Sequence, residues 1–432
     1  MMKKISGSII AICSLLINSS CSGEDTFLEQ TEPNVEVNQE YISQNIKHNE
    51  WIYQMMSHHY FWENELPDSS SLSFTKEPYT FFEDLLSSKD RFSWCELNQS
   101  FKQPNQEIGF EYQTYEIHGS FVNRVLYVYS DFLLEKGLKR GDYVIINNDH
   151  LEIGQYNNNK FITTNIIPKY EIETRSRNLA PTIPLDSIYL INNKKIGYFI
   201  YDQFESSIDV AQIAIRLKNR GIDELILDLR YNPGGYVSTS NYLASMIAPN
   251  KHLGKLYQIQ RFNANLTKEK KENGGSGVDS VFLNKGNITS QRNLDLNRII
   301  ILTTKNTASA SESLIIGLRP YMDVITVGTK SCGKDVGSYT IADNRYKYQL
   351  QPITFRYYNA QNDSTPTTGI IPDIEVADDL NHERGDINEA LLKTAINYLL
   401  DNNSVKNNTR SLQSSSNEKE YGKSSIEIRN NL

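Results

Sequence analysis

The 432-residue sequence predicts an α/β protein with a largely parallel central sheet, accompanied by a smaller β domain and a short helical unit. Three observations support this. Apolar runs such as ELILDLR (224–230) and RIIILTT (298–304) alternate with amphipathic helical stretches. Between 101 and 180 the pattern changes to short alternating strands with Gly and Asn turns. From 39 to about 97 the aromatic-rich apolar positions recur at near-helical spacing.

The first residues stand outside the fold. Met1-Met2-Lys3-Lys4 is a positive segment, and Ile5–Ile17 is mostly apolar but too short to span a bilayer, which takes roughly 20 residues. This reads as a signal peptide over 1–21. Its end, INSSCSGED, resembles a bacterial lipobox, which implies lipidation at Cys21; Asn18 departs from the aliphatic residue usual there. The alternative is a secreted protein cut by ordinary signal peptidase. Glu24-Asp25 resembles an export signal of some Bacteroidetes surface lipoproteins. The expected location is therefore the cell envelope, with a lipid anchor in the membrane and either face open.

Residues 22–38 read as a polar, acidic tether, and 39–100 as an N-terminal helical unit. Trp51, Tyr60, Phe61, Trp62, Phe81 and Phe82 are read as its core rather than as a cofactor box. Within 101–180, a short helix ending at Gly137, a Lys-Arg-Gly-Asp turn and the strand YVIIN form the pattern of PDZ domains. In those, loop amides accept a peptide carboxylate while the peptide adds to the sheet edge; Gly109 and Phe110 would be that loop. The alternative is an unspecialised small β domain.

Residues 181–400 carry the strand–helix alternation. DVAQIAIRLKNRG (209–221) is an amphipathic helix stopped by glycine, and STSNYLASMIAP (238–249) is another, ended by Pro249. The polar, Lys- and Gly-rich stretch between Arg261 and Asn297 reads as a mobile flap, and residues 401–432 read as a disordered tail.

Composition excludes several functions. The net charge of −8 and the lack of a basic stripe argue against nucleic acid as a partner. Beyond the leader only Cys95 and Cys332 remain, and the seven histidines show no ligand spacing, so neither a metal nor another cofactor is expected.

Two strand-to-turn junctions draw attention. LDLRYNPGG (227–235) runs a buried strand into Asn-Pro-Gly-Gly, where paired glycines leave backbone N–H groups uncovered. Those groups suit an oxyanion hole, or merely form a tight turn. NTASASESLIIGLRPY (306–321) places Ser309 at a helix start. Ser309-Ala-Ser-Glu312 fits a capping box, yet the same position suits a nucleophile whose developing charge faces the Ala310 amide. A serine needs a base. Lys334, in GTKSCGKDVGS (328–338), would serve if desolvation lowered its pKa by roughly 3 units. Ser311, Ser313 and the thiol of Cys332 are the competing nucleophiles.

DLRYNPGG, TASASE and GTKSCGKDVGS, in that order and followed by TTGIIPDIEV (367–376), resemble the signatures of the S41 peptidases, the C-terminal processing proteases. The resemblance implies a crotonase/ClpP-like core and a serine endopeptidase in which a PDZ domain presents the C-terminus of a polypeptide substrate. By position it implies Ser309 as nucleophile and Lys334 as general base. It also implies an oxyanion hole from the amides of Gly235 and Ala310, with Arg230 and Glu312 supporting that region. Where many members have a glutamine four residues after the lysine, Ser338 stands here as a weak third member. The sequence leaves two other readings open: a catalytically inactive peptidase-like protein that binds protein C-termini, and a crotonase-like acyl-transfer enzyme.

Overall fold

A computed structural model describes residues 34–97, 108–117, 119–157, 160–175, 181–286, 288, 291–400, 418–420 and 424. The signal peptide and Cys21 lie outside the described residues.

The central sheet has six strands in the order Ile374–Glu375, Asp323–Gly328, Arg298–Thr303, Glu224–Asp228, Lys194–Ile200, Asp186–Ile191. Neighbours are parallel except the last pair. Both faces are covered, which explains why these strands read as continuous apolar runs. Leu225, Leu227, Ile299 and Ile301 pack in one core with helices Ser207–Arg220, Val237–Ile247 and Ala310–Leu318. Ile226, Ile300 and Leu302 pack in another with helix Ala390–Leu400. Local chemistry sets the helix ends: the Ser206 side chain accepts the N–H groups of Ile208 and Asp209, and Gly221 stops the same helix at φ 63°.

Beside this sheet lies an antiparallel one, ordered Val278–Phe282, Leu256–Phe262, Ile353–Tyr358, Val336–Ser338. The stretch read as a flap supplies strand Val278–Phe282, the end of strand Leu256–Phe262 and helix Ala264–Glu272, so it carries regular structure that its composition did not suggest. Asn263 is the reason: its side chain caps the helix at Leu266 and donates to the carbonyls of His58 and Tyr60, both at 2.9 Å.

The N-terminal unit begins with helix Asn34–His59, so the helix starts inside the stretch read as tether. Its aromatics are core, as expected: Trp51, Tyr60, Phe81 and Phe82 pack with Leu350 and Ile353 of the neighbouring strands. Strand Trp94–Leu97 pairs with Tyr348–Gln351, so this unit is not a separate helical body.

The β domain is an antiparallel sheet ordered Glu418–Glu420, Phe110–Ile117, Ser120–Val128, Tyr143–Ile146, His150–Asn157, Lys160–Pro168, with helices Asp131–Glu135 and Lys169–Arg175. Its first strand corrects the reading of 401–432 as wholly disordered. Composition warned against order, but an open sheet edge supplies backbone partners that composition does not reveal. The domain docks on the core through Arg140, which donates to the Tyr231 hydroxyl at 2.6 Å and Asp378 at 2.8 Å, and through Tyr127, stacked on Tyr231 at 5.6 Å. Among the described residues no helix is long and apolar enough to cross a membrane.

Candidate active site

Strand Arg298–Thr303 delivers a turn whose last residue, Ser309, precedes helix Ala310–Leu318. Ser309 sits at φ 56°, ψ −113°, a conformation that costs a non-glycine residue about 1–3 kcal/mol unless its surroundings hold it. The surroundings do. The Glu312 carboxylate accepts the Ser309 N–H at 3.0 Å, so the glutamate half of the expected capping box is present. The Ser309 carbonyl accepts the Ser313 N–H at 2.8 Å. The carbonyl of Asn232, in the NPGG loop, accepts the Ala308 N–H at 3.1 Å and the Ser311 hydroxyl at 2.9 Å. Those bonds also separate the competing serines: Ser311 and Ser313 are buried, and the Ser311 hydroxyl is committed, whereas Ser309 is partly open to solvent.

Lys334 is brought to the same place by two side chains. Glu312 Oε2 takes the N–H of Lys334 at 2.8 Å as well as that of Ser309, so both backbones flank one oxygen atom. Its Oε1 takes the Gly333 N–H at 2.7 Å and the Ser331 hydroxyl at 2.5 Å. On the other side the Tyr357 hydroxyl donates toward the carbonyls of Lys334, at 2.8 Å, and Ser309, at 3.4 Å. The Lys334 ammonium forms no ion pair among the described residues and lies 5.0 Å from the Phe92 ring centroid. Burial lowers its pKa below the usual lysine value, against the pull of Cys332, Asp90 and Glu312. Burial likewise raises Glu312, opposed by the four hydrogen bonds it accepts.

The NPGG loop closes the site. A Cβ on Gly234, at φ 111°, would lie 2.8 Å from Ser309 Cβ and 2.9 Å from the Ala310 nitrogen, so only glycine permits this approach. Gly235, at φ 129°, would place a Cβ 2.5 Å from the Phe204 carbonyl oxygen. The amides of Gly235 and Ala310 donate no hydrogen bond among the described residues.

Arg230 lies beneath, fully buried. It bonds Asp228 at 3.0 Å, Glu389 at 2.9 and 3.0 Å, and Asp378 at 2.9 Å. Burial alone would lower its pKa; these carboxylates, Asp228 foremost, hold it well above the ordinary value. Asp378 is held down at about 2, because Arg140 and Arg230 outweigh the burial that would raise it. Arg230 therefore supports the loop from below rather than touching the site.

Two expected residues stand apart. Ser338 accepts a hydrogen bond from the Gln351 amide at 2.8 Å and has none to Lys334 among the described residues. Gly109 and Phe110 belong to the β domain, where Ile108, Phe110, Ile146, Leu151 and Ile172 line a cavity of about 180 Å³, with Lys169 and His150 beside them. Sequence reasoning missed Tyr357, Asn232 and Phe92. Asn-Pro-Gly-Gly hinted at the second; nothing local marked the others. No group of residues suited to a metal ion occurs among the described residues.

The α/β core thus brings a strand–turn–helix serine, a lysine and a paired-glycine loop to one place. Residues 195–376 match the family model "Peptidase family S41", and residues 47–94 match "Peptidase S41 N-terminal domain". The chain belongs to peptidase family S41. A solved "Putative S41 protease" from Bacteroides fragilis superposes with a TM-score of 0.68 at 25% identity, covering 81% of this chain and 97% of that one. A "Carboxyl-terminal-processing protease" from Synechocystis is 26% identical over 184 residues, 42% of this chain and 38% of that protein. A "Probable CtpA-like serine protease" from Staphylococcus epidermidis is 26% identical over 157 residues, 36% of this chain and 28% of that protein. The match thus spans well under half the length of these curated relatives.

Proposed function

We propose that the protein is a serine endopeptidase of the cell envelope, working through a Ser309–Lys334 dyad on polypeptides presented by their C-termini. The observation that carries this reading is the shared clamp: one carboxylate, Glu312, and one hydroxyl, Tyr357, each bind the backbones of both residues.

In this reading neutral Lys334 takes the Ser309 hydroxyl proton as Oγ attacks the scissile carbonyl carbon. The oxyanion receives the uncommitted amides of Gly235 and Ala310. The resulting Lys334 ammonium protonates the leaving amine, and an acyl-enzyme remains. Water, deprotonated by Lys334, then hydrolyses the ester and returns Ser309. Burial lowers the Lys334 pKa, the direction that a lysine base acting without a histidine requires. The cavity beside Gly109-Phe110 would take the apolar last side chain of a substrate, and lipid at Cys21 would hold the enzyme to a membrane.

The test uses the chain lacking residues 1–21 and an unfolded reporter with an apolar C-terminus, followed by intact-mass spectrometry. Cleavage is expected, and Ser309→Ala and Lys334→Ala should each lower it by about a thousandfold or more. Full activity in either variant would remove the dyad.

A further inference from the structure

Strand Glu418–Glu420 occupies the Tyr115–Ile117 end of the outer edge of strand Phe110–Ile117, whose inner edge pairs with Ser120–Val128. The pairing is antiparallel: Glu418 opposes Ile117, Lys419 opposes Glu116, and Glu420 opposes Tyr115. The C-terminal segment therefore advances along that strand toward Gly109. Glu420 and Ser424 each contact the core. Glu420 forms an ion pair with Lys305 at 2.7 Å, and Ser424, fully buried, donates its hydroxyl to Asn306 Oδ1 at 2.7 Å. Lys305 and Asn306 belong to the turn that ends at Ser309. Glu420 thus links the β domain's edge, where it opposes Tyr115, to Lys305 in the turn carrying the nucleophile.

We propose that Glu418–Glu420 is a built-in ligand of the β domain, a strand that holds the edge where a substrate's C-terminal strand adds. The proposal rests on the peptide-presenting reading of that domain given above. Strand addition relies on main-chain hydrogen bonds, so two segments of unrelated sequence compete for one edge. An incoming strand, running antiparallel toward the Gly109-Phe110 loop, needs the donors and acceptors that Glu418–Glu420 now uses. The segment is suited to yielding: three paired residues, alternately charged Glu-Lys-Glu, and one ion pair half open to solvent. Covalent attachment compensates for that weakness. Tethered at an effective concentration of about 1 mM, a segment whose free peptide binds at about 100 µM is seated in about nine chains of ten and raises a competitor's apparent Kd about tenfold.

The test compares the full chain with a variant ending at Asn417, using a fluorescent twelve-residue peptide with a free apolar C-terminus. The shortened chain should bind it about tenfold more tightly, and a synthetic peptide of residues 415–427 should displace it. Glu420→Lys, which sets two cations against each other, should give a smaller gain in the full chain, about two- to threefold. Amide exchange at Tyr115–Ile117 should quicken in the shortened chain, a sign that the edge has opened rather than that the domain has unfolded. Equal affinity in both forms, or no displacement by the 415–427 peptide, would overturn the internal ligand and leave the peptide-presenting reading standing. Binding to neither form, with exchange elsewhere in the sheet unchanged, would overturn both.

Discussion

Arg230 meets three carboxylates where Lys334 forms no ion pair among the described residues, although the two cations serve one site. The contrast lies in how the neighbouring acids are used. Both Glu389 oxygens accept the Arg230 guanidinium. Both Glu312 oxygens are taken by backbone N–H groups and the Ser331 hydroxyl, so that carboxylate holds the Lys334 loop without neutralising its amine. Arg230 keeps its charge because the loop above it needs a rigid base. Lys334 is driven toward neutrality by burial, which is what the proposed role as base requires.

The largest effect should come from breaking the paired cation. Arg230→Met leaves Asp228 and Glu389, both fully buried, without their counter-charge. Urea unfolding should show a loss of about 3–5 kcal/mol. A loss under about 1 kcal/mol would mean that Arg140 and Arg384 carry the network without it. Next in size is Glu312→Ala, which strips an acceptor from three amides and one hydroxyl. About 2–4 kcal/mol of stability should go, with kcat falling far more than KM changes, since the substrate itself is not touched. Unchanged kcat would show that the clamp is dispensable for aligning Ser309 and Lys334.

Removing the unpaired cation should act with the opposite sign. Lys334 is lowered by burial, so between its lowered and its ordinary pKa the unfolded chain holds more protons there than the folded one. The lysine therefore costs stability at neutral pH, and that cost shrinks as pH rises toward the ordinary lysine value. Lys334→Met should abolish peptidase activity yet raise Tm by about 2–4 °C. In the parent enzyme kcat/KM should fall as pH drops through the lowered lysine pKa, because the ammonium accepts no proton. A rate flat from pH 6 to 9 would argue against Lys334 as the base.

How far the sequence reached follows the same division between local and distant determinants. The sheet strands and the helix ending at Gly221 were legible because burial on both faces and a left-handed glycine leave local marks. Ser309, Lys334 and the NPGG loop were legible as short motifs at turns. The counter-ions of Arg230 were not, since Asp378 and Glu389 lie 148 and 159 residues away and look like any surface acid. Tyr357 and Phe92 were missed for the same reason: each reaches Lys334 from another element, and nothing local records the destination. Strand Glu418–Glu420 and the helix after Asn263 were not legible because composition reports solvation, whereas an open strand edge and one capping asparagine set them.

Ser338 sharpens the comparison at its finest point, because it stands where many S41 members place the side chain that orients the lysine. Its hydroxyl accepts the Gln351 amide at 2.8 Å, across a register shift between its strand and Ile353–Tyr358. Glu312 and Tyr357 already fix the Lys334 backbone from both sides, which leaves little for a third partner to do. Ser338→Ala should therefore cost under about 1 kcal/mol, the worth of one half-buried hydrogen bond. Its kcat should stay within about threefold of the parent, and the pH at which kcat/KM falls should not move. If that pH rose and kcat fell a hundredfold, Ser338 would be orienting the amine directly. The lowered Lys334 pKa would then reflect a partner as well as burial.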